Sequence, residues 1–144
     1  MQNEEPIKQS QLQVETDLKA VTEVLEWFDH FALPQLPKEL CWDCKVALEE
    51  GFTNVVRHAH RHLPKTTPIE LELSVFPHYI EMRIWDRGEP FDLRAKLQTL
   101  YQEEEDPLEK EDGRGLMFID QLTDELSYQR LPDHRNCLLM RKHR

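Results

Sequence analysis

Between residues 69 and 84 apolar side chains take every second position: Ile69, Leu71, Leu73 and Val75, then, after Phe76-Pro77-His78, Ile80, Met82 and Ile84. In an extended chain a period of two puts those side chains on one face and the polar ones on the other. Two such runs across a short break form a hairpin, and its apolar face needs a covering layer. The second run passes directly into Trp85-Asp86-Arg87-Gly88. Asp86 therefore stands where a strand ends and the chain turns at a flexible glycine.

The covering layer is visible on either side. Leu12 and Val14 alternate with Gln11, Gln13 and Glu15, a short strand, and Thr16 or Asp17 can cap a helix with Leu18, Val21, Leu25 and Phe28 on one stripe. Pro34 and Pro37 close that helix. Helical spacing resumes from Lys38 to about His62. At about 100° per residue, Leu48, Phe52, Val55, Val56 and Ala59 share one arc, while Glu50 and Asn54 lie opposite it and one turn apart.

Residues 92–112 form a polar connection without a clear apolar stripe, a length that suits a lid or a disordered segment. Within it, 103–112 carry seven acids against Lys110, a solvated or partner-facing run. Gly113-Arg114-Gly115 ends the connection, and Leu116, Ile119, Leu122 and Leu126 mark a further amphipathic segment. Two short strands, near Leu126 to Gln129 and Cys137 to Lys142, meet at Leu131-Pro132-Asp133-His134. Residues 1–10 read as a disordered polar tail and 11–144 as one domain. Helices grouped on one face of a mixed, mostly antiparallel sheet make an α/β two-layer sandwich.

At 144 residues and 39% hydrophobic content the chain fills one core. A formal charge of −10 argues against a nucleic-acid partner, since phosphate backbones are bound by basic faces. No apolar run is long enough for a membrane, and the polar start resembles no signal peptide, so a cytoplasmic location is expected. Cys41-Trp42-Asp43-Cys44 has half-site spacing, but Cys137 supplies no second pair, and the two read as helix residues three apart. Of His58, His60 and His62, only the first and last share a helix face, and a zinc site would need ligands from elsewhere.

The chemistry resides in three places. Glu50 can serve as a general base and Asn54 can offer a neutral oxygen to a hard divalent cation, both within reach of one terminal phosphate. Asp86 can accept from an exocyclic amine and so tell adenine from guanine. Gly113 and Gly115 permit a tight turn whose N–H groups, with the start of a helix, cradle phosphate oxygens. Each pattern alone occurs in helices and turns that bind nothing. Their order along the chain is the more specific signal: carboxylate and amide on a helix, Asp-X-Gly after a strand, a polar connection, glycines entering a helix.

This order resembles the GHKL superfamily, the Bergerat-type ATP fold of gyrase B, Hsp90 chaperones and histidine kinases. Within it the chain looks most like the anti-sigma factor serine/threonine kinases of the RsbW and SpoIIAB type. The matching stretches are Ala47-Leu48-Glu49-Glu50-Gly51-Phe52-Thr53-Asn54-Val55-Val56-Arg57-His58-Ala59, Asp86-Arg87-Gly88-Glu89-Pro90-Phe91-Asp92 and Gly113-Arg114-Gly115-Leu116-Met117-Phe118-Ile119. Glu89-Pro90-Phe91 stands where many superfamily members have a second glycine, which favours the small-kinase branch over gyrase or Hsp90.

The resemblance implies that Glu50 activates an attacking hydroxyl, Asn54 binds Mg²⁺, Asp86 reads the adenine of ATP and Gly88 shapes its pocket. It further implies that Gly113, Arg114, Gly115 and Leu116 form the phosphate side. The implied substrate is a STAS-domain anti-sigma factor antagonist, with a sigma factor as a second partner and a homodimer as the assembly. Two other classes fit the same residues: a non-catalytic switch that uses ATP to hold a partner, and an ATPase domain related to histidine kinases. An intact Glu50 favours the kinase over the first. The absence of a preceding helix pair with a phosphoacceptor histidine counts against the second.

Overall fold

The computed structural model describes residues 4–102 and 111–144, with the backbone alone for 111–113. Five strands, β1 (Lys8–Glu15), β2 (Pro68–Val75), β3 (Tyr79–Asp86), β4 (Glu125–Arg130) and β5 (Asn136–His143), form one sheet in the order β1-β2-β3-β5-β4. Every described pairing is antiparallel, so the sheet is more uniform than the mixed one expected. Register follows the period-two pattern. Val14 faces Ile69, Leu71 faces Ile84, Leu73 faces Met82, and Met82 in turn faces Met140, which builds one apolar surface across the strands. The opposite surface is polar, with the buried Glu81 carboxylate held by Arg141 at 2.8 Å and Arg83 at 3.2 Å.

Helices α1 (Val21–Ala32), α2 (Lys38–Asn54), α3 (Leu93–Gln102) and α4 (Glu111–Leu122) contribute to the same core cluster as the apolar surface, completing the two-layer sandwich. Asp17 caps a short 3₁₀ turn, Leu18–Ala20, ahead of α1. That turn rotates the helix so that Val24, Phe28 and Ala32 are buried and Leu18 is exposed, a shifted version of the expected stripe. Trp27 Nε1 donates to Ser10 Oγ at 2.9 Å and ties α1 to β1. β1 itself begins at Lys8, inside the expected tail, because Gln9 and Gln11 bond across to Ser74 and Glu72. Met1 to Asn3 lie outside the described residues.

α2 buries Cys41, Cys44, Ala47, Leu48, Gly51 and Phe52. Cys41 and Cys44 are thus free thiols in a packed stripe, and burial pushes Cys44 up to about 12. Gly51 brings the helix down on the sheet: a Cβ there would lie 2.7 Å from Ile84 Cδ1. Beyond Asn54 the helix widens into a π turn, Val55–Ala59, closed by the His60 N–H on the Val55 carbonyl at 2.8 Å.

The connection after β3 is less irregular than expected. Asp92 Oδ1 accepts the Ala95 N–H at 3.0 Å as a cap, and Leu93 and Leu97 are buried one turn apart, which makes 93–102 a helix. The acidic run 103–110 lies outside the described residues. Among the described residues, no helix is long and apolar enough to cross a membrane.

Candidate nucleotide site

α2 is regular through Asn54, so Glu50 and Asn54 project one turn apart as their spacing requires. Asn54 lines a cleft of about 360 Å³ together with His58, Ala59, Arg61, Glu89, Phe91, Lys96 and Leu116. That volume lies in the range of small-ligand sites. Glu50 stands beside the cleft against α4, where a Cβ on Gly115 would lie 2.7 Å from its Oε2. Partial burial raises the Glu50 carboxyl above its ordinary 4.5, with Glu49 adding to the shift and Arg57 and Arg114 opposing it.

Gly113, Arg114, Gly115 and Leu116 all lie within α4. The expected tight turn ahead of a helix is absent there, and among the described residues no glycine has a positive φ. At Gly115 the missing Cβ provides room for a neighbouring carboxylate instead. The surroundings of Gly113 lie outside the described residues.

Asp86 is 5% exposed at the end of β3. Its Oδ1 accepts the Gly88 N–H at 2.8 Å and Asn136 Nδ2 at 2.9 Å. Both bonds fall on one oxygen, which leaves Oδ2 geometrically available to a ligand donor. Asn136 spends its other amide proton on the Gly88 carbonyl at 2.8 Å and accepts Arg130 Nη1 at 3.3 Å, so its amide is fully used. Arg130 also reaches the Gly88 carbonyl at 3.2 Å. A Cβ on Gly88 would run into the Ala59 carbonyl, so the turn is pressed against the π segment of α2. Gly88 is required for space rather than for left-handed backbone. Phe91 packs on Tyr128 with centroids 4.5 Å apart and closes that edge of the cleft.

Of the predicted residues, Asn54 and Leu116 line the cleft, Glu50 and Gly115 meet each other beside it, and the Asp86–Gly88 turn packs against Ala59, which lines it too. Asn136, Arg130 and His60 support Asp86 and its turn, and sequence reasoning named none of them as site residues. For Asn136 a signal existed: a residue disfavoured in strands opens β5 between arginine and a run of apolar residues.

Residues 14–142 match the model of the histidine kinase-like ATPase domain. The chain belongs to this family. Its five-stranded antiparallel sheet with helices packed on it is the Bergerat arrangement, and family membership implies ATP binding. Among similar proteins are the serine-protein kinases RsbW of Oceanobacillus iheyensis, 39% identical over 58% of this chain and 54% of the relative, and of Staphylococcus epidermidis, 35% identical over 59% and 55%. RsbW of Bacillus licheniformis is 34% identical over 60% and 56%. The chain spans about half the length of these curated relatives.

The residues present suit an adenine nucleotide with Mg²⁺. The buried Asp86 carboxylate suits an amine donor. The Asn54 amide is a hard oxygen ligand of the kind Mg²⁺ takes alongside phosphate oxygens and water.

Proposed function

We propose that this domain is an ATP-dependent serine/threonine protein kinase and anti-sigma factor of the cytoplasm. Its acceptor is a serine or threonine hydroxyl on a STAS-domain anti-sigma factor antagonist, and a sigma factor is its second partner. The observation that carries this reading is the Glu50 carboxylate, partly desolvated against Gly115 and one turn from Asn54. A carboxylate with a raised pKa beside a hard oxygen ligand is what general-base delivery of a hydroxyl to a phosphate requires.

In this reading Glu50 takes the proton from the acceptor hydroxyl as that oxygen attacks the terminal phosphorus. Asn54 would hold Mg²⁺, which offsets charge on the phosphates. Asp86 accepts from the adenine amine through Oδ2 and fixes the purine at the far end, while Gly88 leaves room for the ring. Arg114 and the α4 residues Gly113, Gly115 and Leu116 complete the phosphate side. The working unit is a homodimer, as the resemblance to the anti-sigma kinases implies, and a monomeric mass by light scattering at assay concentration would contradict that part.

The test is incubation of wild type and Glu50→Ala with labelled ATP, Mg²⁺ and STAS-domain proteins from the same source. Label on one STAS serine or threonine, lost in the variant, is the expected result. ATP binding without transfer to any STAS protein would point to a non-catalytic nucleotide-dependent switch.

A further inference from the structure

The Asp86-Arg87-Gly88 turn is gripped from a third side by a residue that the nucleotide reading leaves unused. His60 follows the π turn and is 1% exposed. Both ring nitrogens are engaged. Nε2 meets the Arg87 N–H at 2.7 Å, and Nδ1 meets Thr16 Oγ1 at 2.9 Å.

These contacts dictate the protonation state. The Thr16 hydroxyl has one proton and gives it to the Thr67 carbonyl at 2.7 Å, so toward the ring it can only accept. The Arg87 amide can only donate. His60 must therefore carry its proton on Nδ1 and keep the Nε2 lone pair, a neutral tautomer chosen by two neighbours of opposite demand. An imidazolium would set a second N–H against the Arg87 amide, and one of the two would have to move.

Among the described residues, the charged groups acting on the ring are Asp86, which favours its protonation, and Arg87, which opposes it. Thr16, just past β1, and the Thr67 carbonyl, just before β2, do not titrate. Burial outweighs Asp86 and holds the imidazole below its ordinary 6.5. Arg87 is itself extended toward β2, its guanidinium 3.3 Å from Glu70, so the turn is anchored outward as well as inward.

Resting on the nucleotide reading above, we infer that His60 is a positioning residue for the adenine-reading turn: its neutral Nδ1–H tautomer pins the Arg87 amide, and its protonation releases the turn and weakens nucleotide binding. Protonation of His60 thereby loosens the adenine side through the Arg87 amide, and any titration of Glu50, whose carboxyl is raised, is shared by wild type and a His60 variant.

The experiment combines nitrogen NMR of the wild-type imidazole with calorimetric titration of ADP and Mg²⁺ at about pH 7.5 and about one pH unit below the His60 midpoint that the NMR reads. It compares wild type with His60→Gln, whose amide oxygen can still accept the Arg87 N–H but does not titrate. The expected results are an Nδ1–H tautomer at neutral pH and a roughly tenfold weaker wild-type affinity in acid, about the effect of losing one buried hydrogen bond. His60→Gln is expected to bind like wild type at neutral pH and to weaken by less than about threefold in acid. Titration of the nucleotide's own phosphate affects both proteins equally and cancels in the comparison.

Equal acid weakening in both proteins, or an Nε2–H tautomer, would overturn the inference. If His60→Gln does not fold, wild type alone decides. The Arg87 amide resonance must then titrate with the His60 midpoint, and an amide indifferent to it overturns the proposal. Failure of the nucleotide reading looks different: wild type binds no ADP even at neutral pH, and the positioning role falls with it.

Discussion

In the turn after β3, the polar groups around Gly88 are already engaged. Its N–H goes to Asp86, its carbonyl accepts Asn136 and Arg130, and the neighbouring Arg87 N–H goes to His60. On the α2 side, Glu50 and Asn54 are half-buried, and among the described residues their side chains make no hydrogen bond comparable to these. The first side is a preorganised mould, its polar groups paired and desolvated in the folded chain. The second is set by the approach of two helices and keeps its polar atoms for a ligand. A site that must recognise one base and then transfer a group from the other end gains from that division. Recognition is served by preorganisation, while transfer needs groups that can still take up phosphate, metal and acceptor.

The sharpest way to break the comparison is to separate the two sides by mutation. Glu50→Ala is expected to lower phosphate transfer by about 10²–10⁴-fold while ATP affinity stays within about threefold, measured by single turnover and by equilibrium titration. A parallel loss of affinity would mean that Glu50 also holds the ground state. In wild type the acid limb of transfer should lie above 4.5, because Glu50 must be ionised to act and its pKa is raised.

Next in size is Gly115→Ala. The added carbon meets the mobile end of Glu50 rather than backbone, so the melting temperature should barely change while kcat falls by up to about 10²-fold through misplacement of the base. Unchanged kcat would show that the contact does not set the position of Glu50.

Asp86→Asn is expected to show the reverse pattern, weakening ATP binding by about tenfold to a hundredfold through loss of a charged acceptor inside the mould. Equal affinity in wild type and variant would remove the adenine assignment.

The smallest effect is on stability. A glutamate whose folded pKa is raised contributes fully below its unfolded value of 4.5, and that contribution is lost as pH rises through the folded value. At neutral pH ionised Glu50 therefore opposes folding, and Glu50→Gln should melt slightly higher than wild type. A lower melting temperature would mean that the carboxylate is structurally satisfied in the fold.

Much of the fold could be read in advance because it rests on local repetition. The alternation of Ile69 to Ile84 became β2 and β3 at nearly the expected bounds, and the helix from Lys38 carried Glu50 and Asn54 side by side. α3 was missed because the acids nearby obscured the Asp92 cap and the Leu93 and Leu97 spacing. The glycines were read as hinges, yet Gly88 and Gly115 make room for Ala59 and Glu50 without positive φ. From sequence, a glycine that bends the chain and one that lets another group approach look alike.

The sequence by itself determined the periods, the one-sided strands and the spacing of carboxylate and amide on α2, since each follows from backbone geometry over a few residues. It also set the acidic charge. Only the tertiary structure decided what holds the adenine side together. Asn136 meets Asp86 across 50 positions, His60 meets Arg87 across 27 and Thr16 across 44. Such pairs come from closing the sheet and seating α2 upon it. A buried polar group takes whichever partner that closure brings within about 3 Å, and no local pattern records which one it will be.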